Sequence, residues 1–186
     1  MSVGEAAAAL VEVLNREGIR WYVFGAQAVM MHGIARTTQD IDVTVLVARK
    51  GAAGLAAELE AAGFEHRFPD RAAELISMAA VIPMTHRRSG VEVDIVLGGS
   101  GLEELAHAAA ERRSLDGVVV PVATATHLAV MKVMAGRPKD MEDVRGLMAA
   151  GAVDKTEARE LLSQLEEALG QSDLVPAFEK LAQARG

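Results

Sequence analysis

The sequence predicts an α/β fold, a mixed sheet flanked by helices, with a C-terminal helical portion. Before residue 124, segments with apolar residues at helical spacing alternate with short apolar segments typical of strands. After residue 123 only the helical spacing recurs, which predicts a second, purely helical part. A chain of 186 residues buries about two-thirds of its unfolded surface, so a full core is expected. We therefore expect an α/β core over residues 1–123 and a C-terminal helical portion over 124–186.

The individual elements follow from local patterns. Apolar residues recur at helical spacing over Ala6–Arg16 and Gly18 ends this segment, so a helix precedes the strand Trp21–Phe24. The same reasoning predicts the remaining elements, in order: a short helix from Gly25, a strand over Asp40–Val47, a helix over Gly51–Ala62, a helix or turn over Ala72–Met78, strands over Ala80–His86 and Val91–Leu97 joined by the turn Arg87–Gly90, a helix over Leu102–Arg112, a strand within 118–123, and helices over Thr126–Ala135, Met141–Ala149, Thr156–Leu169 and Leu174–Ala184.

Composition excludes several classes of protein. A net charge of −7 and an aromatic content of 3% disfavour a protein that coats nucleic acid, because phosphate contacts and base-stacking side chains are both scarce. The absence of cysteine excludes disulfides, a thiol nucleophile and a thiolate metal site. No run of 18 apolar residues occurs, and the first segment carries Glu5 and Glu12 without a basic stretch. We expect a cytoplasmic protein that does not span a membrane.

Two aspartates stand inside a segment that otherwise has the pattern of a buried strand. Because side chains alternate along a strand, Asp40 and Asp42 point to one face while Ile41, Val43 and Val45 point to the other. Strands disfavour aspartate, and two neighbouring carboxylates repel each other. The pair therefore needs a compensating cation or full hydration, and a solvent-facing acidic strand is the plain alternative.

A third carboxylate follows the same pattern in a later strand. In Val91–Leu97 the apolar residues share one face, and Glu92 and Asp94 share the other. If the two strands are neighbours, three carboxylates lie close together and offer oxygen ligands of the kind that Mg²⁺ or Mn²⁺ prefers. Asp94 is the first candidate for the third position and Glu92 is the substitute.

The order of these features resembles a known family. Gly25, a short helix, a loop with Arg36, the run Asp40-Ile41-Asp42 and the later Asp94 together resemble the minimal nucleotidyltransferase superfamily, which is DNA polymerase beta-like. The segments IARTTQDIDVTV and HLAVMKVMAGRPKDMEDVRGL look most like the branch of AbiEii-type toxin nucleotidyltransferases and small stand-alone proteins. The resemblance covers roughly residues 21–148.

The resemblance implies a metal-dependent nucleotidyltransferase. Such an enzyme transfers a nucleoside monophosphate from an NTP to an acceptor hydroxyl or phosphate and releases pyrophosphate, and its helical portion closes the cleft. Asp40 and Asp42 would hold a pair of Mg²⁺ or Mn²⁺ ions, and Asp94 would complete the site and help deprotonate the attacking group. The acceptor stays open among RNA such as tRNA, a protein and a small molecule. The toxin branch further implies an antitoxin as partner.

The donor phosphates are expected to lie at the start of the short helix. A glycine at a strand-to-helix turn lets the backbone approach a phosphate, so Gly25 is a candidate contact or a plain turn glycine. Ala26 stands where the family has Gly or Ser, so a hydroxyl contact is lost and backbone amides or Gln27 would have to replace it. Arg36 and Thr38, in the loop before the aspartates, are assigned to the nucleotide on the same resemblance.

Lys132 and the segment after it form a second candidate set. Leu128 and Ala135 flank Lys132 on its helix face, so this lysine either extends to solvent or meets an anion. The resemblance implies that Lys132 acts on the triphosphate. It also places Arg137 and Lys139 near phosphates, and gives Asp140 or Asp143 the task of orienting the lysine or the acceptor. The plain alternative is that acidic residues simply favour the first turn of the next helix.

Two other functions are left open by the sequence. A catalytically degenerate member that binds a nucleotide or a partner would explain Ala26, although the three aspartates argue against it. An antibiotic-modifying adenylyltransferase would suit a small single-domain chain.

Overall fold

The computed structural model describes residues 2–48, 51–99 and 101–183. The chain divides into two compact units. The first consists of Met1–Met31 with Arg36–Ala123, and the second of His32–Ala35 with Thr124–Gly186. The two units carry different candidate residues.

The first unit contains a mixed sheet. Its strands are β1 (Trp21–Phe24), β2 (Ile41–Val45), β3 (Phe64–His66), β4 (Val81–His86), β5 (Glu92–Leu97), β6 (Glu111–Leu115) and β7 (Val118–Val122). Their order across the sheet is β3-β4-β5-β2-β1-β7-β6. The pairs β2–β5 and β1–β7 are parallel and the other neighbouring pairs are antiparallel. The predicted mixed sheet is therefore confirmed.

Helices accompany the sheet in the first unit and make up the second. The first unit has α1 (Val3–Arg16), α2 (Gly25–Met31), α3 (Ala52–Ala61), the single turn α4 (Ala72–Glu74) and α5 (Gly101–Ala108). The second has α6 (Ala125–Ala135), α7 (Pro138–Ala149), α8 (Lys155–Leu169) and α9 (Leu174–Gln183). Among the described residues, no helix combines the length and the apolar character that a membrane crossing requires.

The alternation predicted from the sequence determines which strand residues are buried. The apolar residues on either side of the two aspartates have no exposed surface: Ile41 and Val43 in β2, and Val93 and Ile95 in β5. Asp42 and Asp94, which lie between them, are partly exposed. One face of the central strands is thus core. The opposite face carries the polar side chains.

Two strands differ from the sequence prediction. The helix predicted over Leu102–Arg112 ends at Ala108, and β6 begins at Glu111. The edge strand β6 has mostly exposed residues, so it lacks the apolar alternation that marks a strand, and it is held by pairing with β7. The three-residue strand β3 was also not predicted, because so short a segment shows no period. In addition, β2 begins at Ile41, so Asp40 directly precedes the strand.

Candidate active site

Asp42 and Asp94 lie side by side on the polar face of the central strands. β2 and β5 are parallel, and their register pairs Asp42 with Asp94. Neighbouring strands are about 4.8 Å apart, so two side chains at paired positions on one face are immediate neighbours. The residues on either side of each aspartate are buried, which fixes the direction of both carboxylates. This juxtaposition agrees with the sequence prediction that the two strands are adjacent.

Gly25 is packed against the carboxylate of Asp42. β1 and β2 are antiparallel with Phe24 opposite Asp42, and Gly25 follows directly as the first residue of α2. Its φ is +69°, and a Cβ built on it would lie 1.9 Å from Asp42 Oδ2. This backbone conformation and this close approach both require glycine. The strand-to-helix turn therefore leaves room for the aspartate.

We expect Gly25→Ala to destabilise the protein by more than the backbone strain alone, which is about 1–3 kcal/mol for a non-glycine residue at positive φ. Gly18→Ala is a matched control, since Gly18 has a φ of +62° and no described heavy atom lies within 4 Å of the position that its added Cβ would take. Urea unfolding of both variants measures the difference. Equal losses of unfolding free energy in the two variants would show that Asp42 moves away from the added methyl group without a free-energy cost.

Arg67 binds the two carboxylates of β5. It follows β3, and its Nη1 donates to Glu92 Oε2 while its Nη2 donates to Asp94 Oδ1. The Arg67 side chain is 20% exposed, less than Glu92 at 48% or Asp94 at 40%. The sequence reasoning missed this residue. In the sequence, Arg67 is an arginine that follows the short segment Phe64–His66. That segment does not reveal the strand pairing that brings Arg67 to β5.

The loop before β2 holds Asp40 by a local hydrogen bond. Asp40 is exposed, and its backbone N–H donates to Thr38 Oγ1 at 3.2 Å. The buried side chain of Gln27, on α2, donates from Nε2 to the carbonyl oxygen of Thr38 at 3.5 Å. Thr38 thus connects α2 to the aspartate segment. Arg36 lies in the same loop and is partly buried, and Ala26 is partly buried at the start of α2.

The three aspartates do not form the compact metal cluster that the sequence suggested. Within residues 2–48, 51–99 and 101–183, no group of three or more His, Asp or Glu side chains is arranged to hold a metal ion. Asp94 Oδ1 accepts a hydrogen bond from Arg67. The positive group next to Asp94 in this arrangement is the guanidinium of Arg67. The assignment of metal ions to Asp40, Asp42 and Asp94 stays a prediction.

A cavity of about 460 Å³ adjoins this loop within the first unit. Gln27 and Thr38 line it together with Met30, Met31 and Asp116. Its volume lies in the range of small-molecule sites, and its lining combines apolar side chains with a few polar groups, as such sites do.

The second unit contains a buried ionic cluster around Lys132. Lys132 Nζ, on α6, lies 2.7 Å from Asp143 Oδ2 and 3.2 Å from Asp140 Oδ1, both on α7. The side chains of Asp140 and Asp143 are 1% and 2% exposed, and that of Lys132 is 10% exposed. Exposed Arg137 adds a contact from Nη2 to Asp140 Oδ1 at 3.2 Å. The anions that Lys132 meets here are two aspartates of its own unit.

The remaining predicted residue of this segment, Lys139, is exposed on α7. The roles of Lys132, Arg137, Lys139 and Asp143 toward a nucleotide stay predictions from the family resemblance.

The ionic cluster predicts a loss of stability in acid. Burial raises the pKa of Asp140, but the hydrogen bond from Arg137 and the charge of Lys132 outweigh it, so the pKa falls below its ordinary value of 3.8. The unfolded chain therefore takes up this proton at higher pH than the folded chain. The stability that the ionised carboxylate contributes is complete above the unfolded value and is lost as pH falls through the folded one.

Urea unfolding at several pH values between 7 and 3 measures this effect. We expect the free energy of unfolding to fall less steeply below pH 4 in Asp140→Asn than in the wild type. Glu142→Gln, which removes an exposed carboxylate from the same helix, is the control. Identical acid profiles for the wild type and Asp140→Asn would contradict the prediction.

Comparison with known proteins identifies the fold. No protein-family model matches the sequence, and no curated protein matches it. The solution structure of the antibiotic-resistance factor ANT(2'')-Ia matches 91% of this chain and 95% of its own, with a TM-score of 0.57 at 12% sequence identity. ANT(2'')-Ia in complex with adenylyl-2''-tobramycin matches 90% of this chain and 98% of its own, with a TM-score of 0.56 at 14% identity.

A lincosamide antibiotic adenylyltransferase shares the fold as well. The lincomycin-bound structure of LnuA covers 78% of this chain and 96% of its own, with a TM-score of 0.51 at 12% identity. At these identities the likeness concerns the fold alone. The predicted fold class, a nucleotidyltransferase-type mixed sheet with helices, is confirmed.

Proposed function

We propose that this protein transfers a nucleoside monophosphate from an NTP to a hydroxyl group of an acceptor. The observation that carries the proposal is the register of β2 and β5, which pairs Asp42 with Asp94 on the polar face of a nucleotidyltransferase fold. Gly25, packed on Asp42 at the start of α2, occupies the position at which the family resemblance places the donor phosphates.

The carboxylates of this face fit a divalent cation by their chemistry. Asp42 and Asp94 offer hard oxygen ligands from adjacent strands, and Asp40 lies two residues before Asp42. We assign the cation to these three residues, with Glu92 as the substitute for Asp94. A bound Mg²⁺ or Mn²⁺ would neutralise the charge of the transferred phosphoryl group and acidify the attacking hydroxyl.

The protein's own residues then have distinct tasks. Asp94 accepts the proton of the acceptor hydroxyl as the oxygen attacks the α-phosphorus. One oxygen–phosphorus bond forms, the bond between the α-phosphorus and its bridging oxygen breaks, and pyrophosphate leaves with the bridging oxygen. Arg36 and Thr38, in the loop before β2, are proposed to orient the donor. Backbone N–H groups at Gly25 and Ala26 would contact its phosphates in place of the missing hydroxyl.

We favour a small molecule as the acceptor. The net charge of −7 gives RNA little electrostatic attraction. The cavity beside Thr38 has the volume of a small-molecule site, and Thr38 is hydrogen-bonded to Asp40. The proteins ANT(2'')-Ia and LnuA, which share the fold, are described as an antibiotic-resistance factor and an antibiotic adenylyltransferase. An antibiotic with free hydroxyl groups is therefore the first acceptor class to test.

The experiment incubates the protein with each α-labelled NTP and Mg²⁺ or Mn²⁺, in one arm with hydroxyl-bearing antibiotics and in another with total cellular RNA. We expect metal-dependent label on a small molecule and none on RNA. Label on RNA would instead support the toxin-like branch, in which an antitoxin partner is expected. Nucleotide binding without transfer in any arm would support the degenerate, binding-only function.

A further inference from the structure

Arg67 is anchored by its backbone next to Asp94. Its N–H donates to the carbonyl oxygen of Pro83 at 3.1 Å, and Pro83 on β4 is the register partner of Asp94 on β5. The Arg67 backbone is therefore fixed at a point that only β4 separates from Asp94. Its bond to Asp94 follows from the pairing of β3, β4 and β5 and is not an isolated surface contact.

The charges on this face favour a nearby cation. Asp42, Glu92 and Asp94 place three carboxylates on the same side of two adjacent strands. Without a compensating charge each would raise the energy of the others. Arg67 supplies one positive charge and divides it between Glu92 and Asp94. It thus contacts Asp94, one of the carboxylates to which the proposed function assigns a divalent cation.

Arg67 and a divalent cation at the proposed site would share the carboxylate of Asp94. Arg67 Nη2 takes up Asp94 Oδ1, and two positive groups on one carboxylate repel each other. Glu92 offers the guanidinium a second acceptor two residues away. The centroid of the Phe68 ring lies 5.8 Å from the Arg67 guanidinium carbon, so the guanidinium also has an aromatic neighbour.

We infer that Arg67 is a positioning residue that holds Asp94 when no divalent cation is bound and passes to Glu92 when one binds, so that it sets the affinity of the site for the cation. The inference rests on the proposed function, which places the cation at Asp42 and Asp94. In the cation-free protein Arg67 keeps Asp94 oriented toward the site. When the cation binds, Arg67 releases Asp94. Breaking this contact costs free energy, which lowers the affinity of the site for the cation.

The test is direct binding of Mn²⁺ to the nucleotide-free protein, followed by electron paramagnetic resonance. Arg67→Gln removes the competing charge, and we expect its Mn²⁺ dissociation constant to fall by roughly tenfold, the scale of one charge-assisted hydrogen bond. Arg71→Gln is the matched control, because Arg71 is exposed, pairs with Glu74 and carries the same charge four residues away. Its dissociation constant should stay within about twofold of the wild type.

A double-mutant cycle separates direct competition from a general change in charge. In an Asp94→Asn background, the gain from Arg67→Gln should disappear, because the contested carboxylate is gone. A gain that persists in that background, or a dissociation constant in Arg67→Gln equal to or above that of the wild type, overturns the inference. If Arg67→Gln does not fold, Arg67→Lys, which contacts one carboxylate at a time, should show a smaller gain of the same sign.

The outcome for the proposed function is read from different variants. If Asp42→Asn binds Mn²⁺ as tightly as the wild type, the cation is not held at Asp42 and the proposed site fails. If Asp42→Asn loses Mn²⁺ binding while Arg67→Gln leaves it unchanged, the site stands and the role of Arg67 fails. The absence of Mn²⁺ binding in both the wild type and Arg67→Gln overturns the inference about Arg67.

Discussion

Asp42→Asn is expected to lower the rate of nucleotidyl transfer by at least about 100-fold, the scale for losing one preorganised electrostatic group at a reacting centre. Asp42 lies at the centre of the proposed site, because it is paired with Asp94 on the neighbouring strand and packed against Gly25. Asparagine preserves the shape of the side chain but removes the charge that holds a cation. Single-turnover kinetics with a labelled NTP measures the loss.

The fold should survive this change. Removing one of several like charges relieves repulsion, so we expect the thermal midpoint of the metal-free variant to equal or exceed that of the wild type. Asp173→Asn, an exposed aspartate in the second unit, controls for the substitution itself. A rate in Asp42→Asn within about threefold of the wild type, with the fold intact, would remove the chemical centre of the proposal.

Lys132→Met is expected to reduce the free energy of unfolding by about 3–5 kcal/mol, because it removes the buried cation that pairs with two buried carboxylates. Asp140 and Asp143 are almost completely buried, and their contacts with Lys132 Nζ join α6 to α7. Methionine keeps the length and apolar character of the lysine, so the loss reports the charge. Urea unfolding followed by circular dichroism measures it.

Two variants show whether the cause is the unpaired charge. Adding Asp143→Asn to Lys132→Met should recover part of the stability, since one of the two buried negative charges near the lost cation is removed. Arg137→Met should cost no more than about 1 kcal/mol, because the Arg137 side chain is 60% exposed and its ion pair is screened by water. A loss below about 1 kcal/mol in Lys132→Met would show that the cluster is not a structural element.

The sequence predicted the central strands because their residues alternate clearly. β1 has the predicted bounds, and β5 differs from the prediction by one residue at its start. The same alternation placed Asp42 and Asp94 on one polar face. It did not predict β6, whose exposed edge position requires no apolar period.

The partners of the charged residues were harder to predict than the strands. The apolar neighbours of Lys132 indicated that it extends to solvent or meets an anion, but its two partners depend on how α6 and α7 pack. Arg67 reaches Asp94 because β3 pairs with β4 across a long connection and β4 pairs with β5. Local pattern alone contains no information about such a contact, so the guanidinium beside Asp94 became apparent only in the structure.

The position of the transferred label is the most direct test of nucleotidyl transfer. The protein, an NTP labelled at either the α- or the γ-phosphate, Mg²⁺ or Mn²⁺ and a hydroxyl-bearing acceptor are incubated, and the products are separated. The proposal predicts α-label on the acceptor and γ-label in pyrophosphate, with both signals lost on chelation of the metal. The appearance of γ-label on the acceptor, or intact NTP with every acceptor offered, would contradict it.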